Sequence, residues 1–191
     1  MKKLSFALLP TVLTAGPALA HVDPATHGSL AAGMTHPLMG ADHLAAMVCV
    51  GLWAAVMGGR SMLALPAAFV AAMAVGFGLA LFGSALPLVE PAILASIMAL
   101  GVLVALSVRL SAVAGAALVA GFGLFHGFAH GAELGGAGAL GFLGGFVAAT
   151  AALHLAGVGL GLVLTRVAPG LALRTAGAGV AAFGALLAVA G

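Results

Sequence analysis

The sequence is dominated by apolar segments that are long enough to cross a lipid bilayer. A transmembrane helix needs about 20 predominantly apolar residues, and six such segments follow one another, at 36–57, 62–83, 88–107, 110–131, 138–164 and 171–190. Of the 191 residues, 64% are hydrophobic and only six are basic and four acidic. So few charges cannot cover the surface of a soluble domain. We therefore predict an all-α, polytopic membrane protein, a bundle of six transmembrane helices within the lipid bilayer.

The first twenty residues have the organisation of a secretory signal peptide. Lys2 and Lys3 form a positive start, an apolar stretch follows, and Ala18–Ala20 supplies the small residues of a cleavage site. We predict a cleavable signal peptide over residues 1–20 and one membrane domain over residues 21–191. Without the two lysines, four Arg balance two Asp and two Glu. No basic patch remains, and we expect no nucleic-acid partner.

The positions of the arginines predict the orientation in the membrane. They fall between the first and second, third and fourth, and fifth and sixth predicted segments, and the remaining connections contain no Lys or Arg; the residues are Arg60, Arg109, Arg166 and Arg174. Positively charged residues favour the cytoplasmic side. Both mature termini are therefore expected on the outer side, as an exported amino terminus also requires.

Polar side chains stand at matched heights on the first and fourth predicted segments. His43 and His126 each lie 17 residues from the arginine that ends or begins their segment, which is about 25 Å along a continuous helix. His36 and Glu133 each lie 24 residues from the same arginines, or about 36 Å. Ionisable residues at membrane depth usually face a partner or a cavity. These matched heights indicate that the two sets meet near the outer side of the membrane.

The angular spacing of these residues predicts that they converge. The i, i+4 and i+7 positions of His126, His130 and Glu133 share one helix face, and His36 and His43 are also seven residues apart. Packing of the two segments along these faces would surround one outward-opening pocket with four imidazoles and two carboxylates. The predicted metal ligands are His36, Asp42, His43, His126, His130 and Glu133.

Imidazole and carboxylate donors without thiolates suit Ni²⁺, Co²⁺, Zn²⁺ and Cu²⁺. Cys49 is the only cysteine, so a cysteine-rich metal site is excluded. A single histidine in such a chain is often only a hydrogen-bonded core residue, but two clusters at matched heights favour metal binding. The ion is expected as cargo, and no prosthetic group is predicted.

Three further residues are weaker candidates for metal ligands. Cleavage after Ala20 would leave His21 with a free α-amine, and that amine and the imidazole could chelate a metal with Asp23 nearby. His154 lies 12 residues from Arg166, about 18 Å along a helix. It is either an inner waypoint for the ion or a hydrogen bond between helices.

Two segments, "HPLMGADHLAAMVCVGLWA" and "FHGFAHGAEL", resemble the signatures of the HupE/UreJ family of small bacterial membrane proteins. The first matches the pattern His-Pro-x-x-Gly-x-Asp-His from His36 to His43, and the second matches through His126, Gly127, His130, Gly131 and Glu133. The resemblance implies a nickel or cobalt permease of the bacterial inner membrane. It also implies nickel as the preferred ion, periplasmic termini, and a link to the maturation of hydrogenase or urease.

The leading hypothesis is a secondary permease that moves Ni²⁺ inward, and not an enzyme. No lysine follows Lys3, so a Gly-x-x-x-x-Gly-Lys phosphate loop is absent and transport must be passive, potential-driven or proton-linked. Alternatives are an intramembrane zinc hydrolase, a haem-binding electron carrier, and a metal sensor or storage protein. No serine adjoins either motif, and the histidine spacing suits a haem poorly.

Overall fold

A computed structural model describes residues 28–134, 138–168 and 170–190 of the chain. The predicted signal peptide, His21 and Asp23 lie outside these residues. Seven helices and no strand occur in the described part of the chain. The helices are α1 (Leu30–Met39), α2 (Ala41–Met57), α3 (Ser61–Leu81), α4 (Val89–Ala105), α5 (Ala112–Leu134), α6 (Ala139–Val167) and α7 (Leu171–Ala190). The all-helical fold predicted from the apolar segments is confirmed for the described residues.

Four of the described helices, α3, α5, α6 and α7, are long and apolar enough to cross a membrane. The α1–α2 pair passes the same test only as one broken segment, with an 88° bend between its halves, which brings the number to five. Helix α4 is apolar but has 17 residues, about 25 Å of helix. The described helices therefore include four or five candidates of full length, against the six spans expected.

The prediction that His36 and His43 share one continuous helix is wrong. Gly40 separates α1 from α2 and has an extended backbone, with φ −102° and ψ 121°. Glycine has a low helix propensity, and Pro37, one turn earlier, has no amide hydrogen for the helix ladder. A Cβ atom at Gly40 would lie 2.6 Å from Oδ1 of Asp42. A side chain at position 40 would therefore push the carboxylate of Asp42 aside, although the extended backbone itself is open to any residue.

The helices pack through glycines that allow close approach of their backbones. The main pairs are α3 with α5, α4 with α7, and α6 with both α1 and α2. Along α5, a Cβ at Gly123, Gly127 or Gly131 would overlap the backbone of α3. On α6, Gly145 and Gly157 stand in the same way against α1 and α2. Small residues at the contacts are how helices pack tightly in lipid, where no hydrophobic drive exists.

The connections that contain Arg60 and Arg109 meet at one end of the bundle. The indole Nε1 of Trp53, near the end of α2, donates a hydrogen bond of 2.9 Å to the carbonyl of Val108, which adjoins Arg109. A Cβ at Gly115, near the start of α5, would lie 3.1 Å from Sδ of Met57. The polar motifs lie at the other ends of α2 and α5. The candidate site and these two arginines therefore occupy opposite ends of the bundle.

Candidate metal-binding site

Three ligand atoms from two helices form the most open part of the candidate site. Nε2 of His36 lies 2.9 Å from Nδ1 of His130 and 4.0 Å from Oε2 of Glu133. The same Oε2 lies 3.3 Å from Nδ1 of His130. Ligand atoms bound at about 2.1 Å to one ion lie at most about 4.2 Å apart. All three separations therefore fit a single coordinated cation.

His130 links this group to a second imidazole and carboxylate at the start of α2. Its Nε2 lies 2.7 Å from Nε2 of His43, and Nδ1 of His43 lies 3.1 Å from Oδ1 of Asp42. Because an ionised carboxylate only accepts hydrogen bonds, Nδ1 of His43 carries the hydrogen and its Nε2 presents a lone pair toward His130. His43 thus offers an acceptor nitrogen to His130, and His130 in turn can offer one to His36. A bound cation can take the place of the hydrogens between these nitrogens.

Exposure of the side chains falls along the cluster. It is 63% for Glu133, 38% for His36, 14% for His43 and 3% for His130. His126, whose ring centroid lies 5.2 Å from that of His43, is fully buried. The donors therefore form a continuous series from solvent into the core of the bundle.

Helix α4 supplies the residue that holds His126. Oγ of Ser96 lies 2.6 Å from the carbonyl of Ile93 and 3.0 Å from Nε2 of His126. The carbonyl only accepts, so the single hydroxyl hydrogen is donated to Ile93. The hydroxyl then accepts from Nε2–H of His126, and Nδ1 of that ring keeps a lone pair. This Nδ1 is buried and has no hydrogen-bond partner.

Aromatic side chains surround the polar cluster. The ring of Phe142 lies 5.3 Å from that of His36, and the ring of Phe146 lies 4.7 Å from that of His130. Phe69, on α3, contacts His126 at 5.5 Å. Apolar walls of this kind limit the water around the donors and strengthen electrostatic interactions with a bound ion.

The helices carrying the two motifs do not form the expected direct pair. The main contacts of α5 are with α3, and those of α2 are with α6. The imidazoles instead bridge a gap between α2 and α5, and α1 turns back so that His36 reaches the same gap. His36 therefore reaches the cluster because the chain bends at Gly40, and not because His36 and His43 share one face of a single helix.

The structure brings six of the predicted ligands into one cluster, namely His36, Asp42, His43, His126, His130 and Glu133. His154 lies apart from them on α6 and is fully buried. Sequence reasoning missed Ser96. A hydroxyl in the otherwise apolar stretch Ile93–Val104 was its only signal, since polar groups at membrane depth usually have partners.

Comparison with known proteins gives two matches. The family model described as HupE / UreJ protein matches residues 9–187 of the chain. A protein of Rhizobium leguminosarum bv. viciae described as Protein HupE is 43% identical over 176 residues, which cover 91% of this chain and 92% of that protein. No solved structure matches the chain significantly.

Proposed function

This chain belongs to the HupE/UreJ family, which is associated with nickel and cobalt transport for hydrogenase and urease, and we propose that it is a secondary nickel permease. It would carry Ni²⁺, with Co²⁺ as an alternative cargo, from the periplasm to the cytoplasm. The observation that supports this proposal is the series of four imidazoles and two carboxylates whose exposure falls from 63% to 3% and then to complete burial.

The proposed arrangement has six crossings of the bacterial inner membrane. Helix α2, with α1 bent back at its outer end, makes the first crossing, and the 17-residue α4 makes the third at the short limit of a spanning helix. Six crossings would put both mature termini on the same side of the membrane, and the preference of arginine for the cytoplasmic side supports a periplasmic location. Residues 1–20 would be removed as a signal peptide, and residues 21–191 would form the permease.

Ion loading would begin at the exposed carboxylate of Glu133. A negative charge at the rim attracts a hydrated divalent cation, and His36 and His130 then replace part of its water shell. His43 offers the next lone pair, with Asp42 holding the orientation of that ring as a carboxylate does for metal-bound imidazoles. Neutral imidazoles bring little charge of their own into the bilayer, so the ion moves inward without a large fixed countercharge.

The membrane potential supplies enough energy for inward movement without ATP. A divalent cation that crosses an inside-negative potential of about 100 mV gains about 4.6 kcal/mol. The sequence contains no P-loop lysine, in line with a potential-driven or proton-linked permease. The cation is cargo in this proposal, and the protein has no prosthetic group and catalyses no reaction.

The contact between Ser96 and His126 does not support hydrolysis. A serine nucleophile needs its hydroxyl hydrogen directed to the histidine, whereas here the 2.6 Å bond to Ile93 takes that hydrogen. The serine is also fully buried. The family association with hydrogenase and urease instead supports a role in supplying nickel for the maturation of one of these enzymes.

Uptake of radioactive nickel by proteoliposomes tests the proposal. We expect purified protein to accumulate Ni²⁺ when an inside-negative potential is imposed, with Co²⁺ and Zn²⁺ as competitors that rank its selectivity. His43→Ala and His126→Ala remove lone pairs from the middle and the inner end of the cluster. Each is expected to lower the initial uptake rate at least tenfold.

A variant outside the cluster controls for damage to the fold. Thr175→Ala on α7 removes a hydroxyl that bonds only to the carbonyls of its own helix, and its uptake should equal that of the original chain. Uptake that is unchanged in both histidine variants would refute the assignment of the site. Binding without any flux would instead identify a sensor or storage protein.

A further inference from the structure

The innermost residue of the cluster and two buried residues of α6 have polar atoms without hydrogen-bond partners. In residues 28–134, 138–168 and 170–190 these atoms are Nδ1 of His126, both ring nitrogens of His154, and Oγ1 of Thr150. All three side chains are completely buried. A buried polar group without a partner is destabilising, and in native proteins such groups usually face a water molecule or an ion. The inner part of this bundle therefore contains nitrogen and oxygen atoms that are available to bind a cation or a water molecule.

The three residues lie in one region of the core. Thr150 and His154 are four residues apart on α6, which places them on one face a turn apart. The ring of Phe69 lies 5.0 Å from that of His154 and 5.5 Å from that of His126. His154 and His126, the innermost member of the cluster, thus both contact the same aromatic ring, that of Phe69.

The structure argues against one of the two roles that the sequence left open for His154, the hydrogen bond between helices. A hydrogen bond between helices would occupy at least one ring nitrogen, and both are unoccupied. The ring of His154 packs against Phe69, a side chain that has no oxygen or nitrogen to form a hydrogen bond with it. An imidazole with two free nitrogens, next to a free hydroxyl, has the chemistry of a ligand for a divalent cation or its water.

We propose that His154, with the hydroxyl of Thr150, is an inner cation-binding station that receives the ion from Nδ1 of His126. The proposal rests on the permease function proposed above and adds a second step to it. The outer cluster determines how tightly the ion is captured, and His154 determines how fast the captured ion moves on. Binding at several sites, each weak enough to release the ion, is what conduction through a membrane requires.

Substitution of His154 separates capture from onward movement. For His154→Leu in proteoliposomes, we expect the maximal rate of Ni²⁺ uptake to fall at least tenfold while the half-saturating concentration changes less than twofold. His130→Ala, in the outer cluster, should instead raise the half-saturating concentration. Leu155→Ala on the exposed side of the same helix is the control, and it should change neither quantity.

A second variant tests ligation directly and guards against misfolding of the first. A thiolate prefers softer ions than imidazole does, so His154→Cys, made in a chain with Cys49→Ala, should raise the ratio of Cd²⁺ to Ni²⁺ uptake at least tenfold. A purely structural role of His154 would leave this ratio unchanged. The thermal unfolding temperature of each variant reports on its fold.

The outcomes distinguish the inner station from the permease itself. If the original chain accumulates no Ni²⁺, the proposed function fails and the inner station falls with it. If the original chain transports Ni²⁺, and both His154→Leu and His154→Cys keep its rate and its ion ratio, the permease stands and the inner station is wrong. A raised half-saturating concentration in His154→Leu would assign this residue to capture, which also overturns the inner station.

Discussion

At the scale of single residues, His130 connects the two halves of the candidate site. Its Nδ1 faces His36 and Glu133, and its Nε2 faces His43. If its Nε2 carries the hydrogen and donates to His43, its Nδ1 can accept from His36 but meets the carboxylate of Glu133 with no hydrogen between them. A cation bound between this Nδ1 and the carboxylate would satisfy the contact that a neutral hydrogen-bond network leaves unsatisfied.

Ser96 is expected to act on the ion through His126. With Ser96→Ala, nothing fixes the hydrogen on Nε2 of His126, so the ring can place its lone pair on either nitrogen. Removal of a partner that orients a metal-binding histidine typically weakens metal affinity or activity about 10–100-fold. We expect a loss of nickel uptake in this range, and nitrogen NMR shifts of His126 that report a mixture of tautomers.

A conservative replacement separates this effect from loss of packing. Ser96→Thr keeps the hydroxyl and should retain most of the uptake and a single tautomer. If Ser96→Ala leaves both the tautomer and the uptake unchanged, Ser96 has only a packing role.

The predicted metal ligands could be identified from the sequence, whereas Ser96, which orients His126, could not. The histidines and acids stand in short motifs, where charged or imidazole side chains inside apolar segments are conspicuous. Ser96 belongs to another helix and reaches His126 only through tertiary packing. Its spacing from the motifs along the chain contains no information about that contact.

At the scale of helices, glycine contacts determine how closely α3 and α5 approach. A Cβ at Gly127 would overlap the carbonyl of Met73, whereas one at Gly121, also on α5, has no atom within 4 Å. Overpacking of a tight contact costs about 1–3 kcal/mol. Glycine to alanine at an open helical position stabilises by up to about 1 kcal/mol.

We therefore expect Gly127→Ala to lower the thermal unfolding temperature in detergent by several degrees and Gly121→Ala to leave it unchanged or raise it. Thermal unfolding of the two variants beside the original chain measures the difference. Equal unfolding temperatures for the two variants would show that the α3–α5 contact is not tight at Gly127.

The helices follow the apolar segments closely except at the first one. Hydropathy alone treats residues 36–57 as a single span, because two residues such as Pro37 and Gly40 change the average of so long a segment only slightly. The backbone bends by 88° there, and α1 begins earlier, at Leu30. The direction of such a bend depends on what α1 packs against, which is α6, and this partner is not encoded locally.

At the scale of the whole molecule, the bundle separates its charges by end and its ligands by depth. The connections that contain Arg60 and Arg109 meet at one end, while Glu133 and His36 lie exposed at the other. The sequence anticipated this separation, because the histidines stand 17 or more residues from these two arginines; which end faces the cytoplasm stays a prediction. The sequence did not predict that α2 and α5 meet only through their imidazoles across a gap. Which helices pack together depends on the contacts of small residues throughout the bundle, and these contacts cannot be derived from the two motifs alone.

X-ray absorption at the nickel edge of the Ni²⁺-loaded protein tests most directly whether this cluster binds the ion. We expect only nitrogen and oxygen ligands at about 2.1 Å, with the multiple scattering that imidazole rings produce, and a marked loss of that imidazole signal in His130→Ala. A sulfur ligand, or an imidazole signal that is unchanged in His130→Ala, would contradict the account.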